Sequence, residues 1–61
     1  MYIVKENERS NFYLTRSPGK WFWSSNKGRA YKFTDKNEAL QTGRDAMPTK
    51  EMADGVVVRD V

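Results

Sequence analysis

Aromatic and basic side chains lie close together between residues 16 and 36, and these are the residue types in the chain best suited to binding a partner. This stretch contains six Lys and Arg residues, one acidic residue and the aromatic residues Trp21, Phe22, Trp23, Tyr31 and Phe33. Cations attract phosphate or carboxylate groups, and aromatic rings stack on bases or anchor protein interfaces. The same rings could instead fill the core of a small domain, so binding and folding compete for them.

The sequence predicts a partner-binding surface for protein or nucleic acid, made of Tyr13, Arg16, Lys20, Trp21, Trp23, Lys27, Arg29 and Lys32. Docking on a larger protein is the preferred interpretation, because Trp, Tyr and Arg dominate interface energetics. Nucleic-acid binding is the alternative, in which cations neutralise phosphates while aromatic rings stack on bases. Against the alternative, a net charge of +3 is low for a dedicated nucleic-acid binder. Homodimerisation through the same aromatic residues is a variant of protein docking.

No catalytic residue, metal or cofactor is predicted. The chain has neither histidine nor cysteine, so an ordinary zinc site or a histidine-activated nucleophile cannot form. A domain of 61 residues rarely forms the concave pocket that shifts the pKa values of the remaining acids and lysines. The acidic pairs also lack the spacing of a calcium loop; they are Glu6/Glu8 and Glu51/Asp54. These features predict a non-enzymatic protein.

The length predicts a single domain over residues 1–61 with marginal stability, because a chain this short buries only roughly 60% of its unfolded surface. Without disulfides, aromatic packing must supply much of the folding free energy. No apolar run approaches the ~20 residues of a membrane span, and the N-terminal residues lack the pattern of a signal peptide. We therefore expect a cytoplasmic protein with no membrane partner.

Three extended segments open the chain. Residues 1–5 and 11–15 are rich in β-branched and aromatic residues on either side of a polar turn, which predicts a β-hairpin with Phe12 and Leu14 in the core. Residues 17–19 form a Ser-Pro-Gly turn, and residues 20–24 follow as a third strand. Within that strand Trp21 and Trp23 face one way and Phe22 the other.

A helix is predicted over residues 35–47, capped by Thr34 or Asp35 with Glu38 in its first turn. Its packing face should contain Ala39, Leu40, Gly43, Ala46 and Met47. The glycine costs about 1 kcal/mol in a helix interior, which predicts close contact with a strand or a ring.

Residues 56–58 form a final valine strand, which we place beside the first strand. The prediction is an α+β fold in which a small antiparallel sheet of three or four strands carries one helix on one face, in the order β-β-β-α-β.

The order of Trp21 or Trp23, then Ala30-x-x-Phe33-Thr34-x-x-x-Glu38-Ala39, then a valine-rich strand resembles a pattern of small uncharacterised phage and bacterial proteins. The resemblance spans nearly the whole chain. It implies a phage or prophage origin, with action in the host cytoplasm, and a threonine that caps the helix.

The aromatic strand and Phe-Thr-x-x-x-Glu-Ala helix entry are also similar to the arm-binding domains of phage integrases, which lay a three-stranded sheet in a DNA groove. Phage inhibitor proteins that dock on host enzymes are similar in their β-β-β-α-β order. These resemblances imply an accessory or inhibitory protein that binds a host protein, with DNA binding as the alternative.

Overall fold

The protein forms one antiparallel sheet with a helix on one of its faces, in a computed structural model that describes residues 1–61. The strands β1 (Tyr2–Lys5), β2 (Tyr13–Ser17), β3 (Lys20–Ser24) and β4 (Val57–Asp60) lie in the order β3-β2-β1-β4. Helix α1 (Lys36–Asp45) packs on β1 and β4, and the short helix α2 (Lys50–Asp54) packs on α1. The predicted small α+β fold and its β-β-β-α-β order are confirmed. Neither helix is long and apolar enough to cross a membrane.

The β2–β3 hairpin has the turn that the sequence predicts. Pro18 and Gly19 connect the two strands, and Gly19 has a φ of 85°, the positive value that a type II turn requires at its third position. All five residues of each strand are paired, from Tyr13 with Ser24 to Ser17 with Lys20. This register places Leu14, Trp23, Arg16 and Trp21 on one face of the hairpin.

The prediction that Phe12 lies in the core is wrong. The second strand begins at Tyr13, two residues later than predicted, and Phe12 is 46% exposed in the loop before it. Its backbone N–H donates to the Ser10 hydroxyl at 3.0 Å, and its carbonyl accepts from the Glu6 N–H at 3.0 Å. These bonds hold the end of the loop beyond the area that α1 covers. Leu14, predicted to be buried with Phe12, is fully buried.

Helix α1 begins at a side-chain cap. Oδ1 of Asp35 accepts from the N–H groups of Asn37 at 2.8 Å and Glu38 at 3.3 Å, which satisfies two of the free amides of the first turn. Of the two predicted caps, the structure therefore has Asp35 and not the Thr34 that the phage-protein resemblance implies. The predicted packing face is confirmed: Ala39 and Gly43 are buried, and the flanking Leu40, Ala46 and Met47 pack against the core.

Gly43 lets the helix lie close to the sheet. A Cβ atom at this position would be 2.6 Å from Cγ1 of Val4 and 2.9 Å from Cγ1 of Val56. The predicted close approach is confirmed, and the contacts are with β1 and with the residue that precedes β4. Contact with two core valines offsets the helix propensity that glycine loses.

Residues 31–33 continue the sheet between β1 and β2, where those strands separate. Tyr2 and Phe33 exchange backbone hydrogen bonds of 2.8 and 2.7 Å, and the Tyr31 N–H donates to the Leu14 carbonyl at 3.0 Å. This segment is extended, with one isolated bridge to β1. The bridge places the Phe33 ring in the core beside Val4, Leu14, Ala39 and Val56.

Candidate functional site

The two faces of the sheet carry different residues. The helix face contacts α1 and carries Val4, Leu14, Arg16, Trp21, Trp23 and Val58. The opposite face, here named the open face, is not covered by α1 and carries Ile3, Lys5, Tyr13, Thr15, Lys20, Phe22, Val57 and Arg59. Ile3 and Thr15 on this face are nonetheless buried. The eight predicted site residues are therefore not one surface, because the sheet separates Tyr13 and Lys20 from Arg16, Trp21 and Trp23.

The Trp21 ring packs against three other side chains of the protein. Its ring stacks on Phe33 with centroids 5.5 Å apart and meets Tyr31 edge to face at 5.1 Å. The guanidinium of Arg16 lies 5.0 Å from the ring centroid, within the range of a cation–π interaction. Such contacts contribute about 0.5–1.5 kcal/mol per aromatic pair. With Phe33, Tyr31 and Arg16 around it, the Trp21 ring is a poor platform for a base or a partner side chain.

Trp23 also packs against the core cluster, so both tryptophans support the fold from the helix face. An open cleft of about 400 Å³ lies where β3 faces the end of α1, lined by Trp21, Thr42, Asp45 and Ala46. Its one carboxylate, Asp45, already accepts a hydrogen bond of 3.0 Å from the Gln41 amide. The cleft therefore lacks the converging polar groups of a catalytic or cofactor site.

The open face presents half-buried aromatic rings next to cations. Tyr13 and Phe22 lie on neighbouring strands with partly exposed side chains, while Thr15 between them is buried. Lys5 is paired with Tyr13 across β1 and β2, and Lys20 begins β3 on the same face. This combination offers apolar contact area with positive charge at its margin.

The remaining predicted cations lie outside the four strands and are exposed. Lys27 and Arg29 belong to a 3₁₀ turn after β3, and Lys32 follows in the segment between β1 and β2. Arg59 is the only one of the 11 Lys and Arg side chains that forms an ion pair with a carboxylate, that of Glu8. No acidic residue occurs between residues 16 and 33. The charge of this segment is therefore uncompensated by neighbours in the fold.

Phe22 is the residue of this region that the site prediction omitted. The alternation of side chains along β3 already placed Phe22 on the face opposite the two tryptophans. Which of the two faces α1 covers became clear only from the pairing of the strands in the structure. The chain also contains no group of three or more acidic, histidine or cysteine residues that could hold a metal ion.

Comparisons with known proteins found no family model, no curated protein and no solved structure that matches this chain.

Proposed function

We propose that this chain is a non-catalytic binding protein that docks on an acidic surface of a larger protein. The observation that carries the proposal is the uncompensated charge of residues 16–33, which present five exposed cations and no carboxylate: Arg16, Lys20, Lys27, Arg29 and Lys32. Cations that form no internal ion pair remain available to carboxylates on another molecule, and such complementarity raises association rates and selects partners.

The aromatic residues support a protein partner in a second way. Because Trp21 and Trp23 pack against the core, the aromatic rings that the open face offers to a partner are the half-buried Tyr13 and Phe22. A polar, cationic surface with a few aromatic contacts resembles the composition of a non-obligate interface. We therefore propose electrostatic steering by the cations and local apolar contact by these two rings.

The proposed setting is that of a phage or prophage accessory protein acting on a host protein in the host cytoplasm. Its support is the Ala30-x-x-Phe33-Thr34-x-x-x-Glu38-Ala39 resemblance, in which Phe33 and Ala39 are now seen as core residues. We propose that the protein inhibits a host enzyme by binding to its surface. The cleft of this chain has a single carboxylate among its lining residues, so the proposal assigns no catalysis to it.

Affinity capture from a bacterial lysate, with and without nuclease, tests the proposed function. We expect a defined protein to remain bound after nuclease treatment and to be released as salt is raised, because screening weakens contacts between surface charges. A protein that disappears with nuclease would contradict protein docking, since its retention then depends on nucleic acid.

Nucleic-acid binding is a second candidate, favoured by the placement of Tyr13 and Phe22 beside Lys5 and Lys20 on the open face. Rings on a sheet surface can stack on successive bases, at about 1–3 kcal/mol per base. In the same capture experiment this candidate predicts retained oligonucleotide and complete loss of bound material after nuclease.

A further inference from the structure

Strand β3 is an outer strand of the sheet, and its backbone bonds show which of its groups face outward. The carbonyls of Phe12 and Leu14 accept from Glu6 and Tyr31, both on the β1 side of β2. Alternate residues of an antiparallel strand direct their N–H and C=O groups to opposite sides. The backbone groups of Tyr13, Thr15 and Ser17 therefore face β3.

The partners of those three residues in β3 are Ser24, Phe22 and Lys20. The N–H and C=O groups of the two residues between them, Trp21 and Trp23, consequently point away from the sheet. No other part of the chain forms a backbone or side-chain hydrogen bond with these four groups. The free edge thus offers two donors and two acceptors, placed symmetrically about Phe22.

We infer that β3 pairs antiparallel with β3 of a second copy of this chain, in a two-fold dimer centred on Phe22. In this register Trp21 faces Trp23 of the second copy, and the two residues exchange both backbone hydrogen bonds. The two-fold axis generates a second, identical pair of hydrogen bonds, so the outward N–H and C=O groups of Trp21 and Trp23 in both copies are satisfied. A shift of two residues pairs one tryptophan with itself and places the other beyond the end of the strand.

Side chains and charges fit the same register. Phe22 faces Phe22 of the second copy as a non-hydrogen-bonded pair, the arrangement in which cross-strand side chains are closest. Lys20, the one charged residue of β3, faces Ser24 of the second copy, so no like charges meet. The other outer strand, β4, carries Arg59 and Asp60, charges of the kind that protect an edge from pairing.

The dimer leaves the docking cations Lys27, Arg29 and Lys32 free, because they lie outside β3, whereas Lys20 and Phe22 belong to the paired strand. The dimer does not depend on the docking function. Two copies would form one continuous sheet flanked by two sets of these cations. Both α1 helices would lie on the same side, because the two-fold axis is perpendicular to the sheet.

Cysteine cross-linking tests the register, since the natural chain contains no cysteine. In Phe22→Cys the two thiols would lie across the axis, where a non-hydrogen-bonded pair has Cα atoms about 4.5 Å apart, within disulfide range. Oxidised glutathione should convert most of this variant into a covalent dimer with an unchanged circular dichroism spectrum. Ser24→Cys is the matched control: its two thiols would be about 14 Å apart along the strands and should stay unlinked.

Sedimentation of the unmodified chain is the second arm and requires no variant. We expect a dimer that Phe22→Lys converts to a folded monomer, because two ammonium groups would then face each other. Equal cross-linking at positions 22 and 24 would overturn the register. A monomer at all concentrations would overturn the dimer itself and leave the edge for a strand of another protein. None of these outcomes depends on whether a partner is captured from lysate.

Discussion

Phe33→Ala should remove about a third or more of the free energy of unfolding at 25 °C. Phe33 is 3% exposed and lies in the core with Val4, Leu14 and Ala39, and its ring also stacks on Trp21. Removing a buried phenylalanine ring costs about 3–5 kcal/mol. At 0.05–0.15 kcal/mol per residue, a chain of 61 residues has a total stability of only about 3–9 kcal/mol.

Phe12→Ala is the matched control, because it removes the same ring from a loop position that is 46% exposed. We expect its free energy of unfolding to stay within about 1 kcal/mol of the unmodified value, as is usual for surface substitutions. Urea denaturation followed by tryptophan fluorescence measures both variants. Equal losses at the two positions would contradict the exposed placement of Phe12.

Gly43→Ala should destabilise the protein although alanine is the better helix former. The added Cβ would lie 2.6 Å from Cγ1 of Val4 and 2.9 Å from Cγ1 of Val56, and valine side chains have few alternative rotamers. Overpacking of a core costs about 1–3 kcal/mol, and the gain in helix propensity is about 1 kcal/mol. We expect a net loss of up to about 2 kcal/mol in the free energy of unfolding.

Gly55→Ala provides the comparison at a glycine with room for a methyl group. Its φ is −85°, and a Cβ there would have its nearest neighbours at 3.5 and 3.6 Å, which are ordinary contacts. Alanine at such a position stabilises by about 0.4–1 kcal/mol because the unfolded chain loses freedom. The two Gly→Ala variants should therefore shift the urea midpoint in opposite directions, and a stabilised Gly43→Ala would contradict the close packing of α1 on the sheet.

Local signals predicted much of this fold. The Pro18-Gly19 turn, the bounds of β3, the Asp35 cap and the small-residue face of α1 all depend on residues near one another in the sequence. The valine strand could be placed beside the first strand because an exposed apolar strand needs a partner. In each case the local preference and the tertiary packing agree.

Other features depend on contacts that sequence patterns do not contain. Phe12 has the alternation of a core residue, but the strand starts at Tyr13. The Phe12 N–H donates to the Ser10 hydroxyl and its carbonyl accepts from the Glu6 N–H, and these loop hydrogen bonds fix its position. The insertion of residues 31–33 between β1 and β2 follows from where those strands separate. A single bridge of this kind has no sequence signal.

The candidate site shows the same limit. Alternation separated Phe22 from Trp21 and Trp23, but it could not show which side α1 would cover. Both tryptophans lie on the covered side, so the rings that suggested a binding motif support the fold. The cations were recognised from composition, and the structure adds that they are exposed and lack internal ion pairs.

Two charge-reversed proteins of equal net charge test docking through these cations most directly. The first replaces three cations of the proposed surface, Lys27→Glu, Arg29→Glu and Lys32→Glu, and the second replaces three exposed cations elsewhere, Lys36→Glu, Arg44→Glu and Lys50→Glu. Affinity for the captured protein is measured at low salt. We expect the first protein to bind at least about tenfold more weakly than the second, which corresponds to a difference of ~1.4 kcal/mol or more in binding free energy. Equal affinities would mean that net charge alone governs binding and would contradict a docking surface at these residues.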